Sequence, residues 1–184
     1  DIVPSPLEGE GQGEGETIPR KTMDKKKITI LGLGNILMED EGFGVHFLRY
    51  ITGKYRFPEN VTPVDGGTLG FRLLDVICGP DHVIIIDAIK TDDTPGSIYR
   101  FNRREMELHM PAPTSAHEVE FLDVLYQAEL MDELPEAVFL CIVPERFGDM
   151  VLEMTPAMKE AFPAMEELLL KELKDLGVTW EEVV

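Results

Sequence analysis

The sequence predicts an α/β fold, a three-layer α/β/α sandwich around a twisted, mostly parallel five-stranded sheet. Short apolar runs rich in β-branched residues alternate with stretches of helical periodicity. The most apolar runs lack polar alternation, which is typical of strands buried on both faces of a parallel sheet. The chain has 184 residues, which is enough for one domain with its own core.

Each predicted strand is a β-rich apolar run, and each predicted helix carries large apolar residues three and four positions apart. The run at 82–86, of sequence HVIII, is the most apolar and should be the central strand. The predicted strands are 27–33, 61–64, 82–86, 97–101 and 137–143. The predicted helices are 41–55, 68–77, 118–130 and a final helix over 155–177.

The final helix has recognisable start and stop signals. Thr155 can cap its first turn, Pro156 fits the first helical position, and Gly177 suits the end. Pro163 lies inside this stretch, and its missing N–H should kink or interrupt the helix.

The first 24 residues form a separate segment. Gly, Glu and Pro dominate it and apolar periodicity is absent, so we expect a disordered arm at 1–24 and a single domain at 25–184.

Composition excludes several classes of protein. The 17 Lys and Arg face 35 Asp and Glu, and the formal net charge of −18 makes nucleic acid a poor partner. No apolar stretch reaches the ~20 residues of a membrane span, so we expect no membrane association. The two cysteines, Cys78 and Cys141, lie in apolar runs and indicate buried free thiols of a reducing cytoplasm.

A glycine-rich turn follows the first strand but does not fit a dinucleotide site. The segment Gly32-Leu33-Gly34-Asn35 has Leu37 where the third glycine of the G-x-G-x-x-G fingerprint belongs. The next residues are the acids Glu39, Asp40 and Glu41, which would repel a pyrophosphate. One acid at a helix start can simply complement the helix dipole, whereas three together indicate a cation site. A nucleotide-dependent dehydrogenase is therefore disfavoured.

Two further residues should lie at the same edge of the sheet as Glu41. Asp87 closes the central strand, and His117 lies where a loop enters a helix. Ligands of open α/β sheets bind outside the carboxyl ends of the strands. Two carboxylates and an imidazole suit a borderline divalent ion with open coordination positions. A histidine before a helix is, however, more often a capping or surface residue.

A third motif, DGGTLG, follows the second strand. Its glycines can expose backbone amides to a ligand or peptide, which makes Asp65, Gly66, Gly67 and Thr68 candidate binding residues. A tight strand-to-helix turn capped by Thr68 explains the same residues equally well.

Four segments in order resemble the hydrogenase maturation endopeptidases, which process the large subunit of nickel–iron hydrogenases. The segments are GLGNILMEDEGFGV, DGGTLG, IIIDAIK and TSAHEVEFLDVL, and the resemblance covers roughly residues 27–177. It implies an enzyme that removes a C-terminal extension from the large-subunit precursor once nickel is in place, with nickel as the recognition element. The metal then arrives with the precursor, and no organic cofactor is expected.

The resemblance also implies which residues contact that metal. The positions that match the family motifs are Glu41, Asp87 and His117, the three residues that the sheet-edge argument selects. Asp40 is a further acid of the motif, and we expect Glu41, Asp87 and Asp40 to be the catalytic carboxylates. A carboxylate would direct water onto a peptide bond beside the metal.

Other mechanisms and functions remain open from the sequence. No Ser, Cys or Thr nucleophile with a paired base appears at a motif, and Ser115 near His117 lacks a third member. A nickel-binding assembly factor that does not cut the precursor could use the same ligands. A metal-free carboxylate peptidase could instead pair Asp40 or Glu41 with Asp87.

Overall fold

A five-stranded sheet forms the centre of the computed structural model, which describes residues 25–109, 116–148 and 150–183. The strand order is β3-β1-β4-β6-β5, and every pair is parallel except β5 with β6. A short antiparallel pair, β2 with β7, lies apart from this sheet. The strands are β1 (Ile28–Leu33), β2 (Tyr55–Arg56), β3 (Val61–Gly67), β4 (His82–Ala88), β5 (Ile98–Asn102), β6 (Glu136–Ile142) and β7 (Glu181–Glu182).

Helices connect the parallel strands and cover both faces of the sheet. Two 3₁₀ turns, Glu39–Gly42 and Gly70–Leu73, precede α1 and α2. The helices are α1 (Phe43–Lys54), α2 (Leu74–Ile77), α3 (Arg103–His109), α4 (Ala116–Leu130), α5 (Pro156–Glu160) and α6 (Phe162–Asp175). In the described part of the chain, no helix is long and apolar enough to span a membrane.

The sheet separates two apolar cores because successive strand residues point to opposite faces. Ile84 and Ile86 of β4 pack with α1 and α6 on one face. Val83 and Ile85 pack with α2 and α4 on the other face. This double burial explains the continuous apolar run of the central strand and confirms the predicted α/β/α layers.

Most predicted elements are confirmed, with differences at their ends. The strands at β1, β3, β4, β5 and β6 and the long helices α1 and α4 are present. The final helix is interrupted, as the proline predicted: α5 ends at Glu160, and α6 begins at Phe162 with Pro163 in its first turn. Gly177 has a positive φ of 77° just beyond α6, as expected of a glycine that ends a helix.

The helix predicted at 68–77 is wrong in its first half. The segment forms the 3₁₀ turn Gly70–Leu73 and a single α-helical turn, α2, and Thr68 does not cap it because Leu69 occupies the cap position. Gly70 has a φ of 52°, which delays the helix start. The sequence prediction also missed α3 and the β2–β7 pair. The arm predicted at 1–24 lies outside the described residues.

Candidate active site at the carboxyl edge of the sheet

The start of α1 packs directly on the carboxyl ends of β1 and β4. A Cβ atom at Gly44 would lie 2.1 Å from the carbonyl oxygen of Ile86 and 2.4 Å from that of Leu33. Only a glycine allows this approach, because any side chain would push the helix away from the strands. The 3₁₀ turn that carries Glu41 immediately precedes this contact and also touches β4. Glu41 therefore lies at the same edge of the sheet as Asp87, near the end of β4.

The glycine-rich loop after β1 supports this acidic turn. A Cβ atom at Gly34 would lie 1.9 Å from the carbonyl oxygen of Glu41, and Gly34 has a φ of 122°. The backbone of the loop at Gly34 therefore packs directly against the backbone of the Glu41 turn. All three acids of the turn, Glu39, Asp40 and Glu41, are buried, with exposed fractions of 3%, 0% and 3%.

Asp40 joins this turn to the segment that follows β6. Its Oδ2 atom accepts hydrogen bonds from the backbone N–H groups of Glu145 and Arg146, at 3.0 and 2.9 Å. Its two oxygens also accept bonds from the N–H and the hydroxyl of Thr155, at 2.8 and 3.0 Å. A carboxylate with four donors around it is held rigidly, so this geometry favours a positioning role for Asp40. The catalytic assignment of Asp40 stays a prediction.

Asp87 is the penultimate residue of β4 and is half-buried. Its Oδ1 atom accepts a hydrogen bond of 2.8 Å from the N–H of Ala88. It also borders a small apolar cavity beneath α4, lined by Met106, Phe121 and Cys141 among others. Asp87 thus lies at the carboxyl edge of the sheet and borders apolar residues.

The DGGTLG motif lies beside the same edge. The N–H of Gly34 donates a 3.1 Å hydrogen bond to the carbonyl of Gly67, which ties the two glycine-rich loops together. Gly67 has a φ of 43°, and a Cβ atom at Gly66 would lie 2.7 Å from a methyl carbon of Leu31. The glycines are therefore required for close packing at the strand end, whichever ligand the loop binds. Thr68 is exposed, and Asp65 pairs with Arg49 at 3.1 Å.

His117 lies in the first turn of α4, and its side chain is outside the described part of the structure. This end of α4 is placed by a neighbouring contact: a Cβ atom at Gly70 would lie 2.2 Å from a carboxylate oxygen of Glu120. The first turns of the helix therefore lie next to Gly70, the last residue of DGGTLG. Ser115 and the loop before it also lie outside the described residues.

The structure thus brings the Glu41 turn, the end of β4 and the DGGTLG loop to one edge of the sheet. The chemistry of the donors, two carboxylates and an imidazole, fits a nickel ion. No group of three potential metal ligands is found among the described side chains, a set that leaves out His117.

Neither cysteine is placed for nucleophilic catalysis. Neither forms a disulfide, Cys141 is buried within β6, and Cys78 packs against the α2–α4 core. Burial raises the pKa of the Cys78 thiol, and the nearby Glu133 raises it further. A protonated thiol in an apolar setting is a poor nucleophile.

Sequence reasoning missed the partner of one of the three acids. The buried Glu39 lies 3.5 Å from Arg146, more than a hundred residues away, and it has a positive φ of 46°. No local sequence pattern predicts a pair between residues so far apart in the chain. The only available signal was the number of acids in the turn.

Comparison with known proteins identifies the family. The model of the family described as hydrogenase maturation protease matches residues 45–172, a range that includes Asp87 and His117 and begins just after Glu41. The Hydrogenase 2 maturation protease of Escherichia coli K12 is 32% identical over 155 residues, covering 83% of this chain and 93% of that protein. The hydrogenase expression/formation protein HupD of Bradyrhizobium diazoefficiens is 32% identical over 164 residues, covering 88% and 85%.

Solved structures agree with this result. The hydrogenase maturating endopeptidase HybD from Escherichia coli superimposes with a TM-score of 0.80 at 30% identity, covering 85% of this chain and 97% of that one. The hydrogenase maturation protease HybD from Thermococcus kodakarensis gives a TM-score of 0.66 at 29% identity, covering 79% and 97%. The chain belongs to the hydrogenase maturation protease family, and it is a peptide-bond hydrolase of the α/β class.

Proposed function

We propose that this chain removes the C-terminal extension of a nickel–iron hydrogenase large-subunit precursor, and that nickel already bound in the precursor is its recognition element. Family membership supports the reaction class and the kind of partner. The observation that carries the proposal is the packing of Gly44 against Ile86, which puts the Glu41 turn beside Asp87.

In this proposal Glu41, Asp87 and His117 contact the nickel of the precursor, so the metal belongs to the substrate. Hydrolysis delivers the hydroxyl of a water molecule to the peptide carbonyl carbon and a proton to the leaving amine. A carboxylate of the site, Asp87 or Glu41, accepts the proton that the water loses. The backbone amides of the DGGTLG loop are candidates for holding the peptide.

A peptidase is favoured over a non-cutting assembly factor because the relatives are named as proteases. A metal-free carboxylate peptidase is the second candidate, because the Glu41 turn and Asp87 lie at one edge. With Asp40 engaged by four donors, Glu41 is the better partner for Asp87 in that mechanism. We also infer a cytoplasmic location, which is consistent with two cysteines that form no disulfide.

The test is to mix the purified chain with large-subunit precursor, with and without nickel, and to follow the mass of the precursor. We expect loss of a C-terminal peptide from the nickel-loaded sample alone. Cleavage of both samples would favour the metal-free mechanism, and cleavage of neither would contradict the proposal.

Asp87→Asn keeps the size of the side chain and removes its charge, so we expect a folded protein without measurable cleavage. Asp75→Asn is the matched control, because Asp75 is exposed and lines a cavity with the first residues of β1, at the opposite edge of the sheet. Undiminished cleavage by the Asp87 variant would exclude Asp87 from the reaction.

A further inference from the structure

A second acidic feature lies next to the proposed active site, at Glu39 of the 3₁₀ turn that carries Glu41. It is a surface pocket between this turn and the segment that follows β6, and we call it the Glu39 pocket. Three of its lining residues are glutamates and one is an arginine, so its local charge is negative. The lining residues are Glu39, Glu145, Arg146, Val151, Glu153, Met154, Thr155 and Pro156.

Glu39 is an unusual residue for this position. Its side chain is buried, yet its Oε2 atom has no hydrogen-bond partner in the described structure. Its backbone has a φ of 46°, a conformation that disfavours residues with a side chain such as glutamate. A buried carboxylate with an unpartnered oxygen is destabilising unless something compensates its charge.

The compensation inside the chain is weak. The only cation paired with Glu39 among the described residues is Arg146, whose Nη1 atom lies 3.5 Å from Oε1. The Arg146 side chain is 63% exposed, so solvent screens this pair and the guanidinium can move away at little cost. Movement of Arg146 would open the pocket to an incoming cation.

An exposed apolar segment adjoins the pocket at Val151, which lines it. Met150, Val151 and Leu152 are exposed by 84%, 44% and 66%. The N–H of Glu39 donates a 2.7 Å hydrogen bond to the carbonyl of Val151, which fixes this apolar segment beside the carboxylate. An anionic centre next to exposed aliphatic side chains suits a long basic side chain, whose stem is apolar and whose end is charged.

We propose that the Glu39 pocket binds a lysine or arginine side chain of the hydrogenase precursor, which takes the place of Arg146 at Glu39. The inference rests on the proposed function, in which the precursor binds at Glu41. Glu39 belongs to the same 3₁₀ turn as Glu41, so the precursor is the partner that would reach it. A precursor docked at Glu41 necessarily covers the surface around this turn. Charge complementarity then selects a basic group at this point.

The exchange makes two opposite predictions, and variants with the same charge changes elsewhere on the surface distinguish them from a general effect of charge. Glu39→Gln removes the anion and should weaken binding of the precursor about tenfold, the effect of one charge-assisted hydrogen bond. Arg146→Gln removes the competing cation and should tighten binding by roughly threefold, as expected for one exposed ion pair.

Controls with the same charge changes lie elsewhere on the surface. Glu59→Gln alters an exposed acid that lines a cavity with residues of the amino end of β1, and Arg104→Gln alters an exposed arginine of α3. Both should leave the dissociation constant within about twofold of the wild type. Thermal unfolding of all four variants checks that each one is folded.

The experiment measures the dissociation constant of the full chain for intact large-subunit precursor by calorimetry, at low and high salt, in parallel with the cleavage assay. A second set of precursors carries single Lys→Gln or Arg→Gln changes. We expect one of these changes to weaken precursor binding by the wild-type chain about tenfold, and to leave precursor binding by the Glu39→Gln variant almost unchanged. That precursor residue is then the basic group that binds Glu39.

Equal binding by Glu39→Gln and wild type would overturn the proposal, as would weaker binding by Arg146→Gln. If wild type cleaves the precursor in either of these cases, the pocket assignment fails while the proposed function stands. Absence of both binding and cleavage by the wild type overturns the two together.

Discussion

Replacement of Asp40 by asparagine tests whether this acid positions the active-site turn. The change keeps the size of the side chain and substitutes one carboxylate oxygen by an NH₂ group. Among the described residues, three donors bond to Oδ2 and one, the N–H of Thr155, bonds to Oδ1. The amide oxygen should therefore occupy the Oδ2 position, and its NH₂ group would face the N–H of Thr155.

The structure gives an estimate of the cost. The N–H of Thr155 would lose its acceptor in a buried place, at about 1–3 kcal/mol. The three remaining bonds would lose their charge assistance, at about 0.5–1 kcal/mol each. We therefore expect Asp40→Asn to lower the free energy of unfolding by about 2.5–6 kcal/mol. Thr155→Val removes only the hydroxyl bond and should cost about 1 kcal/mol.

The assay is urea unfolding followed by circular dichroism, with Asp92→Asn as the control. Asp92 is exposed, so its variant should stay within about 0.5 kcal/mol of the wild type. A loss of less than about 1 kcal/mol in Asp40→Asn would refute the positioning role. Asp40 would then be better explained as a group held for the reaction itself.

Two further predictions concern packing and acid stability. Gly44→Ala should destabilise the protein by about 3 kcal/mol, because the new methyl group would overlap the carbonyl of Ile86. Gly53→Ala in the same helix meets open space and should stabilise the protein by about 0.5–1 kcal/mol. Similar unfolding free energies for the two variants would contradict the close packing of α1. Burial raises the pKa of Glu166, but hydrogen bonds from Lys54 and two tyrosines outweigh it and lower this pKa. The ionised Glu166 therefore stabilises the folded protein fully above the unfolded-state pKa of about 4.3. This contribution is lost as the pH falls through the lower pKa of the folded state. Glu166→Gln should therefore flatten the acid limb of the stability profile measured by urea unfolding, and an unchanged acid limb would show that Glu166 does not contribute to it.

The active-site turn shows how far local sequence can lead. The positions of Glu41 and Asp87 at one edge follow from strand direction, because the carboxyl ends of parallel strands share an edge. Gly34 could be recognised from the sequence as part of a glycine-rich turn, but the contacts of Gly34 and Gly44 could not. That Gly34 accommodates the Glu41 backbone, and Gly44 the ends of two strands, depends on distances between segments.

The sequence by itself determined the layered α/β fold and the break at Pro163, because these depend on periodicities and backbone restrictions that act within a few residues. Only the tertiary structure decided the roles of the neighbouring acids Glu39 and Asp40. Their partners, Arg146 and Thr155, lie more than a hundred residues away, in the segment that follows β6, and meet the turn only in the folded chain. Local patterns cannot distinguish adjacent carboxylates, because what separates them is the burial and the donors that the folded chain supplies.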